Sequence, residues 1–284
     1  MLTTTYEMLQ KAYEGHYAVP AINTQGGTYD IIRAVCTAAE ELRSPVILAH
    51  YVNTGAYSGH DWFYETAKWM AGKVSVPVAI HLDHGDSFER CMEMLKLGFT
   101  SIMFDGSALP VEENAAATEA VARVCRSFGV PLEAEIGELC RLDDRGNKIG
   151  ASNIADPDVV RQYLKLCHPD SLAIGIGNAH GFYNGPVDIR VEVLEECRKF
   201  TDIPFVLHGC TGMDEELVKR SIDSGVAKIN FGTQVRCQYV NYLKEGLAEG
   251  KDQGHAWKLS QYAELRLRED IKDIIRLAGS KETA

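Results

Sequence analysis

The chain has 284 residues, 45% of them hydrophobic and 24% charged, enough apolar material for a large core in one or two domains. A net charge of −11 argues against a nucleic-acid or anionic-membrane surface, so an anionic substrate needs a local site that overcomes the overall field. No apolar run approaches the roughly 20 residues that span a bilayer, and Met1-Leu2-Thr3-Thr4-Thr5 lacks the basic-then-apolar pattern of a signal peptide.

In chain order, short apolar runs alternate with amphipathic segments. Strands are expected at 18–23, 45–50, 76–82, 101–105, 132–136, 171–176, 204–208 and 227–231. Helices are expected at 28–42, 60–72, 87–97, 111–128, 157–167, 188–200, 214–224 and 234–247. The third run closes in His81-Leu82-Asp83-His84-Gly85, and the helix after it is capped by Asp86 or Ser87 and stopped by Gly98. In the helix at 111–128, Ala116, Ala120, Val121 and Val124 share one side while Glu112, Glu113 and Glu119 lie elsewhere. Residues 138–156 lack helical periodicity and read as a lid or binding loop. Beyond about residue 257, Leu259, Tyr262, Leu265, Ile271 and Ile274 recur at helical spacing, a face for the barrel or for a neighbouring subunit.

Eight strand–helix alternations without a low-complexity linker predict one α/β domain over residues 1–284. Its expected form is a (β/α)8 TIM barrel with additional C-terminal helices at about 257–284. An open doubly wound sheet would carry a glycine fingerprint after its first strand, where Ala21-Ile22-Asn23-Thr24-Gln25 stands instead. The eight cysteines are scattered and contain no C-x-x-C pair. They read as reduced, mostly buried thiols of a cytoplasmic protein, and they exclude zinc held by paired cysteines.

Chemistry collects at the carboxyl ends of the strands. The third supplies Asp83 and His84, the sixth leads into Asn178-Ala179-His180-Gly181, and the seventh ends in His208-Gly209. Three neutral imidazoles with an open fourth position are a catalytic zinc arrangement. Asp105 ends the fourth strand, and Glu133 and Glu135 share a face of the fifth. Carboxylates inside a barrel need cations, hydrogen bonds or water, and Asp105 and Glu135 read as supports of the histidines or as an alternate metal site. His81 alone reads as a satisfied core histidine. His208-Gly209-Cys210-Thr211-Gly212 and Asn230-Phe231-Gly232-Thr233 each open a helix and can cradle a phosphate with backbone N–H groups and threonine hydroxyls.

Together these motifs resemble the class II, zinc-dependent ketose-bisphosphate aldolases of the tagatose- and fructose-bisphosphate family. The specific stretches are His81-Leu82-Asp83-His84-Gly85, Leu132-Glu133-Ala134-Glu135-Ile136-Gly137, Gly177-Asn178-Ala179-His180-Gly181, Leu207-His208-Gly209 and Lys228-Ile229-Asn230. The resemblance implies that His84, His180 and His208 bind Zn²⁺, which polarises the ketone carbonyl and stabilises the enediolate. It implies that Asp83 takes the C4 hydroxyl proton in cleavage and returns it to the aldehyde oxygen in condensation. Gly181, Gly209, Cys210, Thr211, Asn230, Phe231, Gly232 and Thr233 would line the dihydroxyacetone phosphate site, with a monovalent cation (Na⁺ or K⁺) nearby. Products would be dihydroxyacetone phosphate and an aldehyde such as glyceraldehyde 3-phosphate. A homodimer or homotetramer is implied as well.

The chain departs from the family in informative places. Cys210 and Thr211 replace the usual Ala and Ser. Cys140-Arg141 replaces the lid glycines, and Asp143 takes the place of the lid acid that moves the carbon-bound proton. Gly232 stands where fructose enzymes have Asp, and Arg236 matches a position where some relatives hold the distal phosphate. The substrate is therefore tagatose or fructose bisphosphate, or another ketose 1-phosphate with a sulfonated or uncharged distal end. A hydrolase of the amidohydrolase type would want His-x-His on the first strand and Asp on the eighth, where Asn23 and Asn230 stand. A non-catalytic metal-binding subunit would lack one of the three histidines or Asp83, and none is missing.

Overall fold

The structure, a computed structural model, describes residues 1–137, 140–142, 148–149, 154–183 and 188–284. The chain opens with α1 (Thr5–Glu14), β1 (Val19–Asn23), α2 (Tyr29–Leu42), β2 (Val46–Tyr51), α3 (Val52–Ser58), α4 (His60–Ala71) and β3 (Val78–Gly85). It continues through α5 (Phe88–Leu97), β4 (Ser101–Phe104), α6 (Val111–Ser127), β5 (Leu132–Ile136), β6 (Cys140–Leu142), β7 (Lys148–Ile149) and α7 (Pro157–Leu166). It ends with β8 (Ser171–Ile174), β9 (Ala179–His180), α8 (Val191–Arg198), β10 (Phe205–Leu207), α9 (Glu215–Asp223), β11 (Val226–Phe231), α10 (Thr233–Ala248) and α11 (Ala256–Leu277).

Among the described residues eight parallel strands close into a barrel in the order β1-β11-β10-β8-β5-β4-β3-β2, the (β/α)8 architecture expected from the alternation. Alternate residues of each strand face inward. Outward residues such as Leu48, Ile80, Ile102 and Ile229 pack against the helices in the main core. Inward residues at the amino end, Val19, Ala21, Ile47, Ala79 and Ala227, meet Met8, Leu9 and Ala12 of α1. That helix closes the floor, and the sequence reading missed it because its apolar face is only three residues wide. The described residues contain no helix long and apolar enough to cross a membrane.

Three details correct the sequence reading. The helix expected from residue 188 starts at Val191, because the Arg190 N–H donates to Ile176 O at 2.8 Å and ties that stretch to the end of β8. On α6 the buried stripe is Asn114, Ala115, Thr118, Val121, Ala122 and Cys125, so Ala116 and Ala120 face solvent. Two polar residues lie in that stripe because they are bonded. Asn114 Nδ2 donates to Glu135 O at 2.9 Å, and the Thr118 hydroxyl pairs with the Tyr163 hydroxyl at 2.7 Å. On α11 the buried residues are Ala263, Glu264, Leu267, Ile271, Ile274 and Ile275, packed on α2 and α10, while Leu265 is exposed.

Phe63 of α4 is fully buried, stacked on His50 with 4.2 Å between ring centroids and 5.5 Å from the Phe99 ring. Phe63→Ala is expected to cost about 3–5 kcal/mol of stability, read from chemical denaturation, because the closed barrel limits collapse into the cavity. A loss below about 1 kcal/mol would show that this layer relaxes freely.

Candidate active site

His84 owes its position to a break in the ladder. Between β3 and β4 the register shifts after Leu82, so that Gly85 pairs with Phe104 and one extra residue is accommodated. His84 takes a φ of 53°, a left-handed conformation that a histidine adopts at a cost of order 1–3 kcal/mol. Gly85 has to be glycine, since a Cβ there would meet Met103 O at 2.5 Å. The bulge turns the imidazole so that Nδ1 lies 2.8 Å from Asp105 Oδ2, while Nε2 is buried with no hydrogen-bond partner among the described residues.

The other two histidines come from different walls. His180 ends β9, with its ring centroid 5.1 Å from that of His84 and 6.1 Å from that of His208. His208 lies just beyond β10, buried, 4.8 Å from the His84 ring. One ring nitrogen from each of the three lies within 4.8 Å of the other two. A second group, His84, Asp105 and Glu135, also brings its ligand atoms within that distance.

The two buried histidines differ in charge. Burial disfavours the charged form of His84, but the Asp105 hydrogen bond with Asp83 and Glu135 nearby outweighs it and pushes the pKa up to about 10. His208 is held well below the usual value by burial, then by the charges of His84 and Lys228, so it is neutral. Its Nε2 lies 2.9 Å from Glu133 Oε1, which makes Nε2 the protonated nitrogen, and its Nδ1 faces Asn230 Nδ2 at 3.2 Å. Asp105, despite burial, stays below the ordinary carboxylate range through His84 and the Ser107 N–H and hydroxyl. Glu135 is raised well above it by burial and by Asp105.

Asp83 is buried and accepts from Asn230 Nδ2 at 3.2 Å. Burial alone would raise its pKa, yet the charges of His84 and Lys228 bring it below the usual value, so the carboxylate is ionised. It does not cap a helix; Ser87 caps α5, its hydroxyl accepting from Arg90 N. His81 is buried, its Nδ1 2.7 Å from the Ser101 hydroxyl.

The glycine turns meet above β10 and β11. Cys210 N donates to Asn230 O at 3.3 Å, and Gln234 N donates to the buried Thr211 hydroxyl at 3.2 Å, joining the two segments. Gly209, at a φ of 68°, approaches Ala179 O so closely that a Cβ would lie 2.3 Å from it. Gly181, Gly232 and Thr233 are half-buried at the same rim, whereas the Cys210 and Phe231 side chains turn into the core. Arg236 is exposed in the first turn of α10, and no contact among the described residues ties it to the mouth. Asp143 lies outside the described residues.

Sequence reasoning missed Tyr183 and the pairing of β6, and gave Asn178, quoted beside His180, no role of its own. The Tyr183 hydroxyl donates to Gly209 O at 2.8 Å and accepts from Ala179 N at 2.9 Å, fastening the His180 segment to the Gly209 turn. Asn178 Nδ2 donates to His208 O at 2.8 Å. The segment after β5 forms the hairpin β6–β7, and β6 pairs in parallel with β9, Arg141 beside His180. The polar residues next to His180 in sequence were the available signal; the pairing left none.

A closed parallel barrel with three histidines and an ionised carboxylate at the carboxyl ends of its strands is the architecture of a metal-assisted enzyme. The family model for class-II fructose-bisphosphate aldolase matches residues 3–283. A fructose-bisphosphate aldolase of Mycoplasma pneumoniae is 38% identical over 256 residues, covering 89% of this chain and 87% of that protein. A probable fructose-bisphosphate aldolase of Bacillus subtilis is 36% identical over 289 residues, 100% of this chain and 99% of its own length. The crystal structure of the YdjI aldolase from Escherichia coli K12 superposes with a TM-score of 0.87 at 30% identity, covering both chains fully. The chain belongs to the class II fructose-bisphosphate aldolase family. It is an aldolase, a carbon–carbon lyase, and its family implies a sugar phosphate substrate and a divalent metal.

The residues present fit such a metal. The buried Nε2 of His84 is without a partner, and a carboxylate orients the same ring from the other side, as metal-binding imidazoles require. Asp105 and its neighbours favour the protonated ring of His84 at neutral pH, so binding a divalent metal through His84 at pH 7 is expected to release about one proton per chain. An indicator dye in weak buffer measures it. Asp105→Asn should release fewer, and proton-free zinc binding would remove His84 from the ligand set.

Proposed function

We propose that the chain is a zinc-dependent aldolase that reversibly cleaves a ketose (bis)phosphate to dihydroxyacetone phosphate and an aldehyde such as glyceraldehyde 3-phosphate. The observation that carries this reading is an ionised, buried Asp83 on the same strand end as His84, tethered by an asparagine that also faces His208. His84, His180 and His208 would hold the ion. Bound there, zinc supplies Lewis-acid polarisation of the ketone carbonyl and stabilises negative charge on its oxygen.

The chain's own groups do the rest. Asp83 accepts the C4 hydroxyl proton as the C3–C4 bond breaks and its electron pair passes to the ketone half; in condensation it returns that proton to the aldehyde oxygen. Asn230 keeps the Asp83 carboxylate turned toward the mouth. Backbone N–H groups of Gly181, Gly209, Gly232 and Thr233, with the Thr211 and Thr233 hydroxyls, are assigned to the phosphate, and a monovalent cation beside it would balance its charge. Asp143 is assigned, on sequence alone, to the carbon-bound proton. Arg236 is assigned to an anionic distal group; its exposed position equally supports a ketose 1-phosphate without one.

We place the enzyme in the cytoplasm on the strength of its free, buried thiols, Cys36, Cys91, Cys125, Cys167, Cys197 and Cys210. We read a homodimer or homotetramer from exposed Val240 and Leu247 on α10 and Trp257 and Leu265 on α11, which light scattering tests.

Chelation should abolish cleavage and zinc should restore it; a fully active metal-free sample would end the zinc reading. Asp83→Ala should retain zinc and lose about 10²–10⁴ in cleavage rate, while exchange of the dihydroxyacetone phosphate C–H proton survives better. Near wild-type cleavage in that variant would remove Asp83 from proton transfer. An aldehyde screen with dihydroxyacetone phosphate, read by product mass, identifies the acceptor, and selective loss of kcat/KM for anionic aldehydes in Arg236→Ala supports its distal role.

A further inference from the structure

Beneath the three histidines lies a buried ionic cluster that the reaction as described does not use. Lys228 of β11 is fully buried, with Nζ 2.8 Å from Glu133 Oε2 and 3.0 Å from Oε1. Glu133, on β5, is only 2% exposed. Between those strands in the barrel stand β10 and β8, so the pair spans the interior. The same carboxylate accepts from His208 Nε2 at 2.9 Å, and its second oxygen lies 3.7 Å from the unpartnered Nε2 of His81.

A buried carboxylate with only neutral imidazoles around it would be an uncompensated charge. Lys228 supplies the compensation and, by touching both oxygens, also fixes the plane and position of the carboxylate. His208 can turn only one of its two nitrogens toward a carboxylate so held, and it is Nε2–H that donates to Oε1. The other nitrogen, Nδ1, is then the one left to face the mouth and Asn230. Lys228 touches neither the reacting atoms nor any of the three histidines directly in these contacts. Its influence passes through Glu133.

We propose that Lys228 is a positioning residue for the metal centre: pinning both oxygens of Glu133, it orients His208 so that Nδ1 is presented to the ion. This rests on the reading that His84, His180 and His208 hold zinc. The role is one of charge balance and aim, which separates it from simple filling of the barrel. An arginine at 228 keeps the charge but needs more room; a methionine keeps the volume and removes the charge. A glutamine at 133 still offers a neutral oxygen to His208 Nε2–H and needs no cation beside it.

The test is zinc affinity, measured by competition with a fluorescent chelator on the full chain, with circular dichroism and melting recorded for each variant. Lys228→Met is expected to weaken zinc binding about 10–100-fold, the usual effect of removing a group that orients a metal ligand. Glu133→Gln alone, which leaves Lys228 unpaired beside the site, is also expected to weaken it. The double variant Lys228→Met/Glu133→Gln is expected to recover most of the affinity, a rescue that a packing role cannot give. Wild-type affinity in Lys228→Met, or a double variant no better than Glu133→Gln, overturns the proposal. Should Lys228→Met fail to fold, Glu133→Gln against the double variant decides it alone. His84→Ala is the control: unchanged zinc affinity there would overturn the three-histidine site itself, a failure distinct from that of Lys228.

Discussion

The structure depends on how a closed barrel tolerates charge along its axis. Eight strands leave an interior filled by side chains, with no water column to dilute an ion. Ionisable groups nonetheless lie inside it, His81, Asp83, Glu133, Glu135, His208 and Lys228 among them, all buried. Each such group, left unpaired, would cost several kcal/mol or be driven neutral. Lys228 answers Glu133, His84 and Lys228 lower Asp83, and Glu135, which has an oxygen without a partner among the described residues, is driven toward its neutral form. The polar layers thus alternate up the barrel from an apolar floor to a mouth where the imidazoles stand.

The same side chain serves two ends in this layer because its surroundings differ. His84 sits beside the ionised Asp105 and Asp83 and favours the charged ring. His208 shares its carboxylate with a lysine and stays neutral. A single pattern, imidazole against carboxylate, therefore gives one ring that favours its proton and one that is already neutral.

Local strain does the aiming at the rim. His84 sits in the left-handed region because one extra residue is inserted beside β4, and Gly209 closes to the Ala179 carbonyl at a distance only glycine permits. Tyr183 then ties the β9 segment to that same turn, and β6 adds backbone pairing next to His180. The segment following β5, legible in the sequence only as a loop, is thereby joined to the site it was expected to cover.

The sequence by itself determined the alternation that makes the barrel, the strand ends that carry Asp83, His84, His180 and His208, and the glycine turns above β10 and β11. These follow from local properties: apolar runs of strand length, helix stop signals, and polar residues placed where a strand must end. The tertiary structure alone decided what depends on contacts between distant segments. It turned α6 to bury Asn114 and Thr118, because their partners, Glu135 O and Tyr163, are 21 and 45 residues away. It brought Lys228 to Glu133 across 95 residues, which made a motif residue of β11 the counter-ion of β5. It also fixed which nitrogen of His84 and of His208 faces the mouth, since that is set by the neighbour on the ring's other side, and no periodicity along one strand records which neighbour the closed barrel will supply.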